Sequence, residues 1–186
     1  MRYFPTIASP IITSGLLSLS TTGTSPVLPS SVGAAGAGAA IALACDMIFA
    51  SKSAFLASSY VKIGLTPDAG TTVFLNAGVP RWLAAELLFT GDKIPATRLY
   101  ELGVVNYLAD EGGAQEAAMA MATRLEAGPA GAIMRAKSLL SGATSKSFDE
   151  QLEAEADNLA QSLGGAEAKE GITAFIERRP PTFPEE

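Results

Sequence analysis

Apolar residues between positions 26 and 108 fall into short runs separated by glycine, proline and polar clusters. This pattern is typical of alternating strands and helices. Proline and the residue before it avoid the α region, so residues 26–29 are predicted to be extended. The remaining predictions are strands at 46–50, 54–56 and 104–108, helices at 37–44, 71–75, 80–89 and 95–102, and a turn-rich loop at 64–70. Thr71 and Thr72 are predicted to cap the helix that follows this loop.

From position 113 onward the apolar spacing changes to that of amphipathic helices. Helices are predicted at 113–127, 130–140, 148–163 and 166–178. The third of these carries Leu152, Leu159 and Leu163 between acidic residues, which is typical of packing against a core or another subunit. Strands with helices, followed by helices alone, predict an α/β fold.

Three segments follow from these patterns. Residues 1–25 are rich in Ser, Thr, Pro and Gly and are predicted to be a leader of unclear structure. Residues 26–125 are predicted to form an α/β core, and residues 126–186 a helical region. No fixed-period repeat is visible.

Composition narrows the range of functions. Of 186 residues 48% are apolar and 17% are charged, which favours a globular chain. The net charge of −6 argues against a nucleic-acid partner. A single cysteine, Cys45, rules out an intrachain disulfide and is consistent with a cytoplasmic location. Because the chain has no histidine, Ser-His-Asp and Cys-His catalysis are excluded, and acid–base chemistry falls to carboxylates, Tyr, Lys or backbone groups.

The uncharged stretch from Tyr3 to Cys45 raises the question of a membrane span. Its uninterrupted part, residues 32–45, has 14 residues and is mostly Gly and Ala. A span needs about 20 predominantly apolar residues, so a buried helix is predicted there instead. Pro5 and Pro10 also break the pattern expected of a secretory signal.

A glycine-rich motif, Gly33-Ala34-Ala35-Gly36-Ala37-Gly38, separates an extended segment from a predicted helix. Small residues let a ligand approach the backbone, and the first N–H groups of a helix can bind a phosphate or a developing oxyanion. The dinucleotide fingerprint is absent because Ile41 stands where its third glycine would be. A Walker lysine is also absent. A tightly packed Ala/Gly helix start without a ligand is the alternative interpretation.

An ordered set of motifs resembles the crotonase (enoyl-CoA hydratase/isomerase) superfamily. It runs over residues 26–183 and comprises Pro26-Val27-Leu28, Ala34-Ala35-Gly36-Ala37-Gly38, Ile41 to Asp46, Ser53-Ala54-Phe55, Lys62-Ile63-Gly64-Leu65, Pro67-Asp68-Ala69-Gly70, Leu88-Phe89-Thr90-Gly91, Ala96, Leu102 to Asn106, Ala136-Lys137 and Glu170 to Phe183. Each motif is modest alone, but their common order is highly specific.

The resemblance implies a crotonase-like (ββα superhelix) spiral core with a C-terminal α-helical region that covers coenzyme A and builds trimers, often paired into hexamers. It also implies that the family's N-terminal half is missing from this chain. In the family, two backbone N–H groups hold the thioester carbonyl and stabilise an enolate. Ala37 matches one of these groups, and Gly36 and Gly38 would shape the substrate-binding loop around it. The other comes from the upstream half.

Classical hydratases of the family use two glutamates to activate water. The matching positions here are Ala40 and Tyr60, so standard hydration is not expected. Asp68 matches a carboxylate that moves a proton along the acyl chain in family isomerases. Its alternative role is that of a turn aspartate capping the next helix.

Two further residues are implied in substrate binding. Tyr60 would contact the substrate or cover the pocket by packing its ring. Arg178 matches a basic position that helps to hold coenzyme A, or is a helix C-terminal charge favoured by the dipole.

The resemblance thus predicts isomerisation of an unsaturated acyl-CoA, with no cofactor or metal beyond the coenzyme A of the substrate. A catalytically silent homologue that acts as a binding or assembly subunit is the alternative.

Overall fold

The computed structural model describes Ile12–Thr13, by their backbone, and residues 33–184. The extended stretch predicted at 26–29 and most of the predicted leader lie outside the described residues. Ile12–Thr13 form a short strand within that leader, where the sequence pattern predicted none. The chain divides into two compact units, Met1–Ala120 and Met121–Glu186, and the division falls inside one helix.

The first unit contains two three-stranded sheets and small helices. Its elements in chain order are β1 (Ile12–Thr13), β2 (Ala34–Ala35), α1 (Ala37–Leu43), β3 (Ile48–Ser51), β4 (Phe55–Ala57), a 3₁₀ helix (Ser59–Ile63), α2 (Thr71–Gly78), α3 (Arg81–Thr90), β5 (Lys93–Pro95), α4 (Ala96–Glu101), β6 (Tyr107–Ala109) and α5 (Gly113–Glu126). One sheet is β1-β3-β6, and the other is β2-β4-β5. β2 leads into α1, β4 into the 3₁₀ helix and β5 into α4, whereas β3 is followed directly by β4.

The sheet β1-β3-β6 is wholly parallel, and the sheet β2-β4-β5 is mixed. β3 pairs in parallel with β1 and with β6, and β2 pairs in parallel with β4, with Ala34 opposite Leu56. Only β5 runs antiparallel to its neighbour, β4. The β2–β4 pairing is important for the site, because the glycine motif follows β2 and the 3₁₀ helix follows β4.

The core of this unit is built from small and branched apolar residues. Leu75 of α2 and Ala39 of α1 are fully buried, and they share one cluster with Leu56, Ile94 and Leu99. Burying such side chains contributes about 25 cal/mol per Å² of apolar surface. The small residues of α1 leave little side-chain volume between this helix and the strands beside it, which keeps its backbone close to the sheet.

The predicted helices are confirmed with small shifts at their ends, but two predictions were wrong in detail. The strand expected at 104–108 is observed at Tyr107–Ala109, because the N–H groups of Val104 and Val105 both turn back to the carbonyl of Leu99. The residue that precedes α2 as its N-cap is Gly70, not a threonine, and no side chain caps that helix. The 3₁₀ helix and β5 were not predicted.

The second unit contains three helices, α6 (Ala130–Gly142), α7 (Phe148–Leu163) and α8 (Ala166–Glu177). α7 begins with a capping box, in which the Glu150 backbone N–H donates to the Ser147 hydroxyl and the Ser147 backbone N–H donates to the Glu150 carboxylate. The carboxylate of Glu167 accepts the N–H groups of Gly131 and Ala132 at 2.8 and 3.0 Å and so caps α6. The apolar residues predicted on α7, Leu152, Leu159 and Leu163, are exposed in the single chain.

Candidate functional site

The glycine motif forms a turn that fixes the start of α1. The Gly36 N–H donates to the Ala57 carbonyl at 3.0 Å, and the Gly36 carbonyl accepts the N–H groups of Ala39 and Ala40 at 3.0 and 3.3 Å. Gly36 has φ 56° and ψ −129°, a combination that only glycine adopts readily. The next residue, Ala37, begins the helix, so its N–H has no intrahelical acceptor.

The surroundings of this turn differ on its two sides. Ala39 and Ala40 are fully buried, whereas Ala37 is exposed. A Cβ added at Gly38 would meet nothing within 4 Å, and one added at Gly36 would lie 4.0 Å from the Tyr60 ring. Gly38 therefore borders open space, and the Tyr60 ring lies beside the turn that carries Ala37.

A second turn, Pro67-Asp68-Ala69-Gly70, presents an exposed carboxylate. Ala69 has φ 50° and Gly70 φ 80°, so two consecutive residues are left-handed. For Ala69 this conformation costs about 1–2 kcal/mol. The backbone N–H and the hydroxyl of fully buried Thr71 both donate to the Asp68 carbonyl, at 2.9 and 2.8 Å. These bonds hold the Asp68 backbone, while its side chain does not cap α2 as the alternative interpretation required.

The side chain of Asp68 is instead hydrogen-bonded to Tyr60. The phenol of Tyr60 donates to Oδ1 of Asp68. This bond, together with burial, raises the pKa of Tyr60, because loss of the phenolic proton would break the bond and leave a phenolate beside a carboxylate. Tyr60 thus both packs near Gly36 and satisfies its hydroxyl on Asp68.

The 3₁₀ helix that carries Tyr60 is supported from both ends. It ends at Gly64, which is left-handed at φ 73°, and the Leu65 N–H donates to the Tyr60 carbonyl at 3.0 Å. Behind it, a Cβ added at Gly91 would lie 3.1 Å from Val61 and 3.2 Å from Lys62. Gly91 therefore permits close approach of the end of α3, which fixes the 3₁₀ helix in place.

Three of the predicted site residues, Gly36, Tyr60 and Asp68, are brought together in space, and Ala37 and Gly38 follow Gly36 in the chain. Arg178 belongs to the second unit, where it ends α8 in a left-handed conformation at φ 54°.

The neighbouring Arg179, rather than Arg178, makes the ion pairs of that helix end, with Glu170 and Glu177 at 2.6 Å each. The arginine whose ion pairs stabilise this helix end is therefore Arg179, one residue after the predicted Arg178.

Sequence reasoning missed two residues near the candidate site. Thr71 holds the Asp68 carbonyl, and a threonine three residues after an aspartate is a signal that could have indicated this. Ser58 is buried, and its Oγ has no hydrogen-bond partner within the described part of the chain. No pattern in the sequence pointed to Ser58.

Across residues 33–184 no group of three or more His, Cys, Asp or Glu side chains is placed to hold a metal ion. No helix in the described part of the chain has both the length and the apolar character to cross a membrane.

Comparisons with known proteins show the same resemblance across most of the chain. A model of the family described as Enoyl-CoA hydratase/isomerase matches residues 14–186. The 1,2-epoxyphenylacetyl-CoA isomerase of Escherichia coli is 31% identical over 150 residues, which are 81% of this chain and 57% of that protein. The protein named "Probable enoyl-CoA hydratase" in Rhodobacter capsulatus is 36% identical over 160 residues, 85% of this chain and 62% of the relative.

Solved structures show a matching architecture. The crystal structure of an enoyl-CoA hydratase from Polaromonas sp. JS666 superposes with a TM-score of 0.80 at 40% identity. The match covers 82% of this chain and 59% of that one. The crotonase-like fold predicted from the motifs is thereby confirmed. The chain spans about three fifths of the length of the two relatives above.

Proposed function

Because this chain belongs to the enoyl-CoA hydratase/isomerase family, we propose that it isomerises the double bond of an unsaturated acyl-CoA through an oxyanion-stabilised enolate. Asp68 acts as the acid and base, and the Ala37 N–H is one of the donors to the thioester oxygen. Gly36 and Gly38 shape the turn that lets the substrate reach this N–H.

One observation carries the proposal. The hydroxyl of Tyr60 is bonded to Asp68, and its ring lies 4.0 Å from the position that a Cβ on Gly36 would occupy. The exposed Asp68 carboxylate and the Ala37 N–H, which has no acceptor within its helix, therefore both lie near Tyr60. An enolate-forming enzyme needs this combination, because a proton can be removed next to a carbonyl only if the developing negative charge is stabilised.

The proton transfers balance within this arrangement. The Asp68 carboxylate takes a proton from the α-carbon of a 3-enoyl thioester, and the C–H electrons move into the enolate, whose oxygen accepts the Ala37 N–H. The protonated Asp68 then returns the proton to the γ-carbon. The double bond moves into conjugation with the thioester. General acid–base catalysis contributes about 10²–10⁴-fold, and one oxyanion donor about 10²–10³-fold.

Hydration is disfavoured by the side chains at the two positions that match the hydratase glutamates. Ala40 has no polar side chain and is fully buried. Tyr60 offers a neutral phenol whose pKa is raised, so it cannot deprotonate water near neutral pH. Neither of these two positions therefore carries a carboxylate that could activate water.

The direct test is a substrate panel with the purified 186-residue chain. We expect 3-enoyl-CoA thioesters to be converted to 2-enoyl-CoA, and 2-enoyl-CoA thioesters to be hydrated at least about 10²-fold more slowly, in line with the lost general base. Chromatography of the products distinguishes the two reactions. Hydration as the main activity would contradict the proposal. Binding of the thioester without turnover would instead support the silent-homologue alternative.

Further parts of the proposal concern partners. The substrate is an acyl-CoA thioester with no separate cofactor, and Arg178 binds an anionic group of its coenzyme A part. We also expect a homotrimer or homohexamer, because Phe148, Leu159 and Leu163 of α7 expose large apolar surfaces in the single chain. The expected location is the cytoplasm, with which the single cysteine is consistent. Light scattering coupled to size-exclusion chromatography measures this state, and a monomer would contradict it.

A further inference from the structure

Asp68 is fixed more thoroughly through its backbone than through its side chain. Its carbonyl accepts two bonds from Thr71, and the left-handed Ala69 restricts the turn that follows. The one hydrogen bond to its carboxylate within the described residues comes from the Tyr60 phenol. Because Asp68 is exposed, no packing restrains the carboxylate, and the phenol is left as its only observed orienting contact.

We propose that Tyr60 is a positioning residue that holds the Asp68 carboxylate in one orientation beside the glycine turn. The inference rests on the proposed function, because it assigns Tyr60 a role in that same reaction. It goes beyond the expectation from sequence, in which Tyr60 either touches the substrate or covers the pocket.

The chemistry of the phenol suits this role. A tyrosine hydroxyl donates one hydrogen bond and carries no charge near neutral pH. It can therefore occupy Oδ1 of Asp68 and leave the other oxygen available to exchange a proton with substrate. A lysine or arginine would add a positive charge beside Asp68 and hold its proton affinity down. A neutral donor orients the carboxylate while leaving it able to accept a proton.

The support behind Tyr60 also suits the role. Its ring lies near Gly36, and the 3₁₀ helix that carries it is braced by the close approach of Gly91 and by the Lys62–Asp92 ion pair at 3.0 Å. A positioning residue must itself be held, because a displacement of about 1 Å at a reacting group can cost 10²-fold in rate. The Tyr60 side chain thereby links the Asp68 carboxylate to the turn at Gly36.

Tyr60→Phe tests the role with little change in shape. It keeps the ring beside Gly36 and removes only the hydroxyl. We expect kcat for isomerisation to fall about 10-fold while KM changes by less than about twofold, since the variant loses orientation of the base rather than substrate contacts. Tyr100→Phe, in the exposed surface of α4, is the matched control and should leave both constants unchanged.

A second measurement does not depend on turnover. The ultraviolet titration of Tyr60, obtained as the difference between the wild-type chain and Tyr60→Phe, should show a pKa above the ordinary value. In Asp68→Asn the pKa of this phenol should fall toward that value, because the negative charge beside it is gone. The comparison of the wild-type chain with Asp68→Asn does not need Tyr60→Phe, so a tyrosine titration that is the same in these two chains overturns the inference even if Tyr60→Phe folds poorly.

The outcomes also separate this inference from the proposed function. If the wild-type chain isomerises and Tyr60→Phe does so at the same kcat, the positioning role is wrong and the proposed function stands. If the wild-type chain does not isomerise, the proposed function is wrong and the positioning role falls with it, whatever the titration shows. A 10-fold loss of kcat with the titration coupled to Asp68 supports both.

Discussion

Glu167 and Glu170 of the second unit accept more hydrogen bonds on their carboxylates than Asp68 of the first unit does. In the second unit, Glu170 accepts two bonds from the Arg179 guanidinium at 2.6 and 3.0 Å and a third from the Thr182 N–H at 2.8 Å. Glu167 accepts two backbone N–H groups. In the first unit, Asp68 accepts one bond from a neutral phenol.

The difference separates carboxylates that hold helix ends from the one to which we assign proton transfer. The bonds on Glu170 favour its charged form and hold its pKa at about 2, with the Arg179 hydrogen bonds as the largest cause. A carboxylate of that kind cannot exchange protons near neutral pH. Asp68 has no ion-pair partner among the described residues, and its remaining oxygen is open to a substrate. The second unit uses carboxylates to fix helix ends, whereas in our proposal the first unit keeps Asp68 available for proton transfer.

The largest expected effect comes from neutralising each type of carboxylate in turn. Asp68→Asn should lower the isomerisation rate by about 10²–10⁴-fold, because the base is lost, while the melting temperature stays nearly unchanged. Glu170→Gln should do the reverse: kcat is kept within about twofold, and the melting temperature falls by about 2–4 °C, the scale of a modest stability loss in a chain of this size. Steady-state kinetics and calorimetry measure the two effects.

Asp110→Asn provides the control for Asp68. Asp110 is an exposed aspartate of the first unit that is paired with Lys52 at 2.7 Å. Its neutralisation should leave the rate unchanged. If Asp110→Asn and Asp68→Asn reduced the rate equally, the distinction between the carboxylates would fail.

A smaller effect is expected from the two glycines that flank Ala37. Gly36→Ala places a Cβ at φ 56° and ψ −129°, which should destabilise the chain by about 1–3 kcal/mol and lower activity by displacing the Ala37 N–H. Gly38→Ala meets no atom within 4 Å and should be neutral or stabilise by up to about 1 kcal/mol, since alanine favours the helix. Chemical denaturation measures both. Equal stability of the two variants would contradict the geometry of this turn.

The smallest expected effect is on the pH dependence of stability. Because the folded pKa of Glu170, about 2, lies below its ordinary value of 4.5, its contribution is fully present above pH 4.5 and is lost as the pH falls toward 2. The difference in melting temperature between the wild-type chain and Glu170→Gln should therefore shrink across this window. A difference that stays constant from pH 7 to pH 2 would show that Glu170 does not titrate as its contacts require.

Much of the fold could be predicted from the sequence because helix signals are local. α7 was predicted at its observed bounds from its amphipathic spacing, and the structure adds a capping box of Ser147 and Glu150 at its start. The strand at 104–108 was shifted because a contact with Leu99, which adjacent residues do not reveal, turns Val104 and Val105 away from the sheet. The β5 strand was missed because three residues with a proline carry no strand period.

The contacts within the candidate site could not be predicted from the sequence, and the roles of its residues stay predictions. Motif order indicated Ala37, Tyr60 and Asp68, since spacing along the chain carries that information. The bond between Tyr60 and Asp68 depends on the angle between a 3₁₀ helix and a left-handed turn at Ala69, and no residue pattern encodes that angle. The hold of Thr71 on the Asp68 carbonyl was missed because Thr71 was expected to act as a helix cap instead.

The most direct test is proton exchange at the α-carbon of a 3-enoyl-CoA in deuterated water, followed by mass spectrometry with the wild-type chain, Asp68→Asn and Asp110→Asn. The account predicts deuterium incorporation with the wild-type chain and with Asp110→Asn, and a loss of about 10²-fold or more with Asp68→Asn. Exchange by Asp68→Asn at the wild-type rate would contradict the central claim that the sparsely bonded carboxylate of the first unit carries the proton.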